Sequence, residues 1–302
     1  MLAVDLGGTK VEAALVDPAG RVLDGTRRRA PTGPDSSAAA LGAAIESVVV
    51  GARLAAPPGV TVTGVGAAVP GPVDELGGRA APINLPALHG FPLRDRIADA
   101  AGAGLPIRFR RDGVAVVLAA QWLGGARGAS SALGIVLSTG VGGGLIVGGR
   151  ALGGNAGHIG QMQVAGMSGG DCLGSDTMLE SVASGPNIVS WAREQGFAGI
   201  TGTDLAAAYA AGDPVAVAAV ARCAAATGQA IGSALALVPV DVVAIGGGFA
   251  RVAPDLVDRI AAVVAAHPLG YVAAARVVDA GLDGDAPLVG AAALVYRAEL
   301  LA

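Results

Sequence analysis

The chain has 302 residues, enough for one large or two ordinary domains, with 53% apolar and 15% charged residues and a net charge of −4. A mildly acidic chain without a dense basic stripe argues against nucleic acid as the main partner, and two cysteines with three histidines leave no disulfide framework and little material for a structural metal. The apolar residues are mainly Ala, Val and Gly in short broken runs, so no segment reads as a membrane span, and the opening MLAVDLGG puts Asp5 where a signal peptide is apolar, which predicts a cytoplasmic chain.

The first stretch, LAVDLGGTKVEAALVDPAGRVLDG, predicts a strand, a tight glycine turn, a second strand, a DPAG turn and a third strand, because small apolar and β-branched residues run between turn signals. The cluster Arg27, Arg28, Arg29 reads as a solvated strand end. After APTGPDSS, the run AAALGAAIESVVVGARLAA is apolar at helical spacing and follows Asp35 and Ser36, either of which can cap a helix. GVGAAVPG, residues 64–71, returns to strand and ends on a Pro-Gly turn. ALGIVLSTGVGGGLIVGGRALGG, residues 132–154, repeats the opening strand-turn-strand unit, and the repetition predicts two related α/β lobes.

The two turns carry chemistry as well as chain reversal. Asp5 stands at the end of its strand, and Gly7, Gly8 and Thr9 follow with unshielded backbone NH groups that suit a phosphate, beside a carboxylate placed to hold Mg²⁺ through water. Ser138, Thr139, Gly140, Gly142 and Gly143 offer a second set of donors. A third cluster, AIGGGFA at 244–250, follows the apolar strand VDVVAI and precedes the helix-like VAPDLVDRIAAVVAA, whose N-terminus would lie beneath a nucleotide held close to the backbone. One glycine turn alone merely reverses a chain; three in order, each at a strand end, point to nucleotide binding. None fits GxGxxG or GxxxxGK[ST], which disfavours dehydrogenases and P-loop enzymes.

The ordered set VDLGGTK, GAAVPGPVD, APINLPALHG, RDGVAVVLAAQWLGGARG, STGVGGGLIVGGRALGGNAGHIG, LESVASG and VVAIGGGFA resembles the ROK family of sugar kinases and repressors, from residue 3 to about residue 295. The resemblance implies a mixed α/β, actin-like/hexokinase-like (ribonuclease H-like) ATPase fold. Its two lobes would be a smaller one of residues 1–111 plus 286–302 and a larger one of 112–285, with ATP and sugar meeting in the cleft. ROK repressors carry an N-terminal helix-turn-helix, whereas this chain starts on the first phosphate strand, which favours the kinase branch. The resemblance further implies a homo-oligomer, a dimer or a tetramer with the dimer favoured, while composition and charge predict no membrane or nucleic-acid partner.

Transfer to a sugar hydroxyl needs a carboxylate to take the proton and donors around the moving phosphate. By the resemblance Asp112 is the catalytic base, against the plain alternative of a surface carboxylate paired with Arg110 or Arg111. Asp5 organises Mg²⁺, or else caps the turn amides. The cofactor set is Asp5, Gly7, Gly8, Thr9, Lys10, Thr139, Gly140, Gly142, Gly143, Gly247 and Gly248, for ATP with Mg²⁺. Asn84 and Glu180 match family sugar contacts; the plain alternatives are a loop-closing Asn and a glutamate at a helix N-terminus.

Several positions depart from the family pattern. The family's zinc ligands, one His and three Cys, fall here on Gln161, Asp171, Leu173 and Met178, which form no zinc site; Cys172 lies one place off. Zinc is therefore expected to be absent, with packing of Met162, Val164, Met167 and Met178 holding the loop instead. His158 stands at the sugar-contacting Glu position and Gln161 at the His position, so both join Asn84, Arg111 and Glu180 as substrate-binding candidates, and their donor–acceptor character predicts altered hydroxyl recognition. Arg111 replaces the Asn before the base and either meets an anionic or unusual substrate or points to solvent. Ala120 replaces a family Glu as a packing change, and His89 and His267 read as ordinary surface residues. The expected function is ATP-dependent transfer of the γ-phosphoryl group to a hydroxyl of a hexose or sugar-like polyol; the competing class is a non-catalytic sugar sensor on the same fold, without a DNA-binding domain.

Overall fold

The computed structural model describes residues 1–301 apart from 83, 84, 103, 172, 173 and 283. By packing, the chain divides into two units: Met1–Leu123 with Arg150–Ala156 and Leu282–Ala302, and Gly124–Gly149 with Gly157–Gly281.

In the first unit, β1 (Leu2–Leu6) and β2 (Lys10–Leu15) form an antiparallel pair, joined by β3 (Arg28–Pro31) on one side and by parallel β4 (Val65–Val69) and β7 (Ile107–Arg111) on the other, in the order β3-β2-β1-β4-β7. The period-2 alternation sorts side chains by size. Leu2, Val4 and Leu6 enter a core with Leu41, Ile45 and Val48 of α1 (Ala38–Leu54) and Ile97 of α2 (Leu93–Ala101). The intervening positions are small: a Cβ on Gly66 of β4 would lie 1.8 Å from the carbonyl oxygen of Ala291, so α10 (Ala286–Tyr296) packs directly on the strand. α3 (Asp112–Trp122) packs on α10, which is why residues 112–122 go with the first unit by packing, where the sequence reading assigns them to the larger lobe. A short hairpin, β5 (Val73–Asp74) and β6 (Arg79–Ala80), and β10 (Arg150–Ala151), which bridges Leu301, complete the unit.

Two expectations change here. The cap of α1 is Ser37, whose Oγ accepts the Ala40 NH at 3.2 Å, not Asp35 or Ser36. The third predicted strand reduces to a single bridge between Val16 and Val22, and the true β3 comes later, on the arginine cluster.

In the second unit β8 (Ala132–Leu137) pairs antiparallel with β9 (Val141–Val147) and parallel with β11 (Val242–Gly246), which pairs parallel with β12 (Arg276–Asp279). This is the pattern of β2-β1-β4-β7 repeated, so the duplicated strand-turn-strand seen in the sequence extends to the topology. The helices are α4 (Leu179–Ala183), α5 (Gly185–Glu194), α6 (Gly202–Ala210), α7 (Pro214–Leu237), α8 (Leu256–Ala265) and α9 (Gly270–Ala273). Among the described residues α7 alone is long and apolar enough to cross a membrane, although no segment of the sequence reads as a span. Its apolarity comes from alanines that serve a core: Ala219, Cys223, Ala226, Ala230 and Ile231 are all fully buried within the unit. His267, expected on the surface, is partly exposed with one edge against this helix, its Cδ2 2.9 Å from where a Cβ on Gly232 would stand.

Candidate active site

In the first unit the strands β1, β4 and β7 run parallel, so their carboxyl ends share one edge of the sheet. Register puts Asp5 level with Ala68 and Ala68 level with Arg110, one strand further on, and Asp112 follows β7 at once as the first residue of α3. Asp112 Oδ1 accepts the NH of Gly113 at 2.7 Å. Burial pushes the Asp5 carboxyl up to about 7, and the negative charges of Asp112 and Glu12 push the same way, opposed by Lys10. The structure thus brings Asp5 and Asp112 into one electrostatic neighbourhood.

The turn after Asp5 is closed by Gly7 NH, which donates to Lys10 O at 2.8 Å, and braced by Thr32, whose Oγ1 donates to Gly7 O at 2.7 Å and whose NH donates to Thr9 O at 2.9 Å. Lys10 Nζ lies 2.6 Å from Oε2 of Glu12, whose other oxygen takes Arg29 at 2.7–2.8 Å. Burial alone would raise the Glu12 carboxyl, but hydrogen bonds from Lys10 and Arg29 outweigh it and hold the group below the usual carboxylate range. The arginine cluster is therefore more than a solvated strand end: Arg29 clamps Glu12, and Arg27 pairs with Asp285. Arg111, the residue before Asp112, is fully buried, which removes the reading in which it points to solvent.

In the second unit the turn Ser138–Gly140 closes through Ser138 NH on Gly140 O at 2.9 Å. Gly142 and Gly143 do not belong to this turn; they lie in β9, opposite Val136 and Ile135. A Cβ on Gly143 would meet the carbonyl oxygens of Gly134 and Gly157 at 2.8 Å, so its glycine serves packing. The sequence GHIG owes its spacing to the same strand. A Cβ on Gly160 would fall 2.0 Å from Val141 O, and one on Gly157 would fall 2.9 Å from the Cα of Gly144. The two glycines lay the segment onto β9, and His158 and Gln161, both partly buried around the 3₁₀ turn Ile159–Gln161, are carried with it. Glu180, in the first turn of α4, reaches the same place: its Oε2 accepts Val141 NH at 2.8 Å and lies 2.7 Å from a Cβ position on Gly140.

Gly247, with φ +106°, sits so close to the end of β8 that a Cβ would lie 2.3 Å from Leu137 O. The expected helix does not begin beneath it: a 3₁₀ turn, Phe249–Arg251, intervenes and α8 starts at Leu256. What stands beside the glycines instead is a cavity of about 440 Å³ whose lining includes Thr139, Gly185, Pro186, Thr201, Gly202 and Gly248. Gly185 and Pro186 open α5, and Gly202 opens α6 behind a Thr201–Asp204 capping box. Sequence reasoning missed these helix starts as a site; their signals were the Ser-Gly-Pro and Thr-Gly-Thr-Asp punctuation, which marks caps without saying what they face.

The described residues from 162 to 181 are joined by hydrogen bonds within the segment. Val164 NH donates to Thr177 O at 2.8 Å, Leu179 NH to Met162 O at 2.7 Å, Gly169 NH to Asp176 O at 2.7 Å, and Ser181 Oγ to Ser175 O at 2.8 Å. Val164 is buried, Met162 and Met167 pack on the core, and Met178 pairs with Gln163 as a bridge. Among the described residues no group of three or more His, Cys, Asp or Glu is placed to hold a metal. Asn84, Cys172 and Leu173 lie outside the described residues.

Comparison with known proteins follows the same lines. The model of a family described as "ROK family" matches residues 1–298. A glucokinase of Streptomyces coelicolor is 29% identical over 97% of this chain and 96% of its own length. An N-acetyl-D-glucosamine kinase of Escherichia coli is 29% identical over 97% of each chain. Among solved structures, a ROK family glucokinase from Streptomyces griseus in complex with glucose and AMPPNP superposes with a TM-score of 0.81 at 28% identity, covering 98% of this chain and 99% of that one.

Proposed function

The chain belongs to the ROK family, and on that premise we propose that it acts as an ATP-dependent sugar kinase, transferring the γ-phosphoryl group to a hydroxyl of a hexose or sugar-like polyol. Its fold is the actin-like/hexokinase-like mixed α/β fold of the ROK sugar kinases. The observation that carries the reading is the placing of Asp5 and Asp112 in one electrostatic neighbourhood at the carboxyl ends of the parallel strands β1 and β7, where α/β folds gather their ligands.

Asp112 takes the proton of the acceptor hydroxyl as its oxygen attacks the γ-phosphorus, and ADP leaves. The bond from Gly113 NH fixes the carboxylate's rotamer at the start of α3, so the base is aimed before substrate arrives. The turn at Gly7, Gly8, Thr9 and Lys10, and the turn at Thr139 and Gly140 with Gly247 and Gly248, hold the nucleotide's phosphates through backbone NH groups. The cavity beside Gly248 suits the rest of the nucleotide. We assign acceptor contacts to Asn84, His158, Gln161 and Glu180, with Glu180 also anchoring the start of β9. Asp5 fits a divalent cation: its carboxyl is raised by burial and by two neighbouring carboxylates, and an added positive charge relieves that repulsion. Asp5 would hold Mg²⁺ there, which would supply charge neutralisation for the triphosphate. The same reading carries a cytoplasmic location and a zinc-free homodimer, the latter checked by native mass spectrometry of purified protein.

A coupled ADP-release assay over hexoses, amino sugars and cyclitols, with Asp112→Asn as control, tests the proposal. Acceptor-dependent turnover well above the control is expected. No turnover, with a sugar still raising the melting temperature, would make the chain a sensor instead.

A further inference from the structure

Arg111 is the largest side chain buried to this degree among the described residues, only 1% exposed. Its stem lies flat on the Pro-Gly turn after β4, its Cδ 2.6 Å from where a Cβ on Gly71 would stand. Nη2 donates to the carbonyl oxygen of Ala156, while Nε is buried with no hydrogen-bond partner. The two carboxylates that attract the guanidinium are engaged with other donors: Glu75 with Arg110 at 3.2 Å and with Gly154 NH at 2.8 Å, and Asp112 with Gly113 NH at 2.7 Å. Every group named here belongs to the first unit.

A guanidinium keeps its charge at any physiological pH, so burying one against a neutral carbonyl with one N–H unmade is costly unless something else answers it. Desolvation lowers the Arg111 pKa in spite of Asp112 and Glu75, so the charge is incompletely compensated by the protein. The edge formed by Nε and a terminal nitrogen matches two oxygens of a carboxylate or a phosphate, a fit that neutral hydroxyls do not supply. The position is telling as well, one residue before the proposed base.

We propose that Arg111 determines specificity by binding an oxyanion, carboxylate or phosphate, on the acceptor, so that the preferred substrate is an acidic sugar. The inference rests on the kinase reading of Asp112 and narrows its substrate class. The competing view is that Arg111 only ties the segment around Ala156 to the end of β7.

The test compares kcat/KM for neutral hexoses, hexuronates, aldonates and hexose 1-phosphates in the wild type, Arg111→Asn and Arg111→Lys. The wild type is expected to favour one oxyanion class over its neutral counterpart by at least about tenfold, and the responding arm identifies carboxylate or phosphate. Arg111→Asn abolishes that ratio, and Arg111→Lys, which keeps the charge without the fork, reduces it; if the Asn variant does not fold, the Lys variant decides. A wild type without oxyanion preference, or a preference unchanged in the variants, overturns the inference and leaves the kinase reading standing. If no acceptor is phosphorylated, the kinase reading fails, and melting temperature decides the binding claim alone. Stabilisation of the wild type by an acidic sugar but not by its neutral counterpart, lost in Arg111→Lys, sustains it; equal shifts overturn it.

Discussion

The proposed chemistry turns on a few side chains at one sheet edge. Asp112 accepts the next amide at 2.7 Å and is only partly buried, so Asp112→Asn should preserve shape while removing the proposed proton acceptor. We expect kcat to fall by about 10²- to 10⁴-fold with ATP affinity and melting temperature nearly unchanged, as measured by steady-state kinetics and calorimetry. Asp5 makes a prediction of opposite kind. Its carboxyl is raised in the folded chain, from 3.8 to about 7, so between those pH values the native state holds more proton than the unfolded state. Stability without Mg²⁺ therefore falls as pH rises through that window and levels off above it. Asp5→Asn should remove this slope and stabilise the protein at pH 8, by on the order of 1–3 kcal/mol after allowing for partial exposure, in urea titrations at several pH values. The same variant should lose kinase activity.

At the scale of elements, glycines decide which segments reach the site. Gly160→Ala places a methyl group 2.0 Å from Val141 O and forces the His158–Gln161 turn off β9. A loss of about 1–3 kcal/mol and a raised acceptor KM are expected from denaturation and kinetics. Gly142→Ala, with nothing within 4 Å, should change stability by less than about 0.5 kcal/mol. The loop at 162–181 is stapled by backbone hydrogen bonds and methionine packing, so a chelator should leave the melting temperature unchanged and metal analysis should find no stoichiometric zinc. The strand-turn-strand units were readable in the sequence because their short apolar runs stop at glycines, and Asp112 was singled out, as the proposed base, through its place in an ordered series of motifs. What escaped was set by distance rather than by local pattern. Gly142 and Gly143 read as turn donors because glycine marks a turn and a close strand approach alike; only the neighbour at Gly157 shows which. The helix starts at Gly185 and Gly202 border the cavity through tertiary packing that no local signal encodes. Ser37 prevailed over Ser36 and Asp35 because the cap falls where the helix begins, a boundary set by packing of Leu41 and Ile45.

At the scale of the whole molecule, one topology occurs twice, and each copy keeps a glycine turn at the tip of its hairpin while spending its other resources differently. The first carries the acidic pair and a charged network around Glu12; the second carries the cavity, His158, Gln161 and Glu180, and a long alanine-rich helix that is a buried core element. The proposed nucleotide site predicts that a non-hydrolysable ATP analogue raises the melting temperature of Asp112→Asn as much as that of the wild type, mass action giving about 2.7 kcal/mol at 100 times its Kd. The central claim is that Asp112 takes the proton from a sugar hydroxyl as phosphate arrives. Single-turnover transfer of labelled γ-phosphate from ATP to an acceptor sugar tests it most directly: labelled sugar phosphate should form rapidly with the wild type and at least about 10²-fold more slowly with Asp112→Asn. Equal rates in the two proteins, or no labelled sugar phosphate from any acceptor, would contradict it.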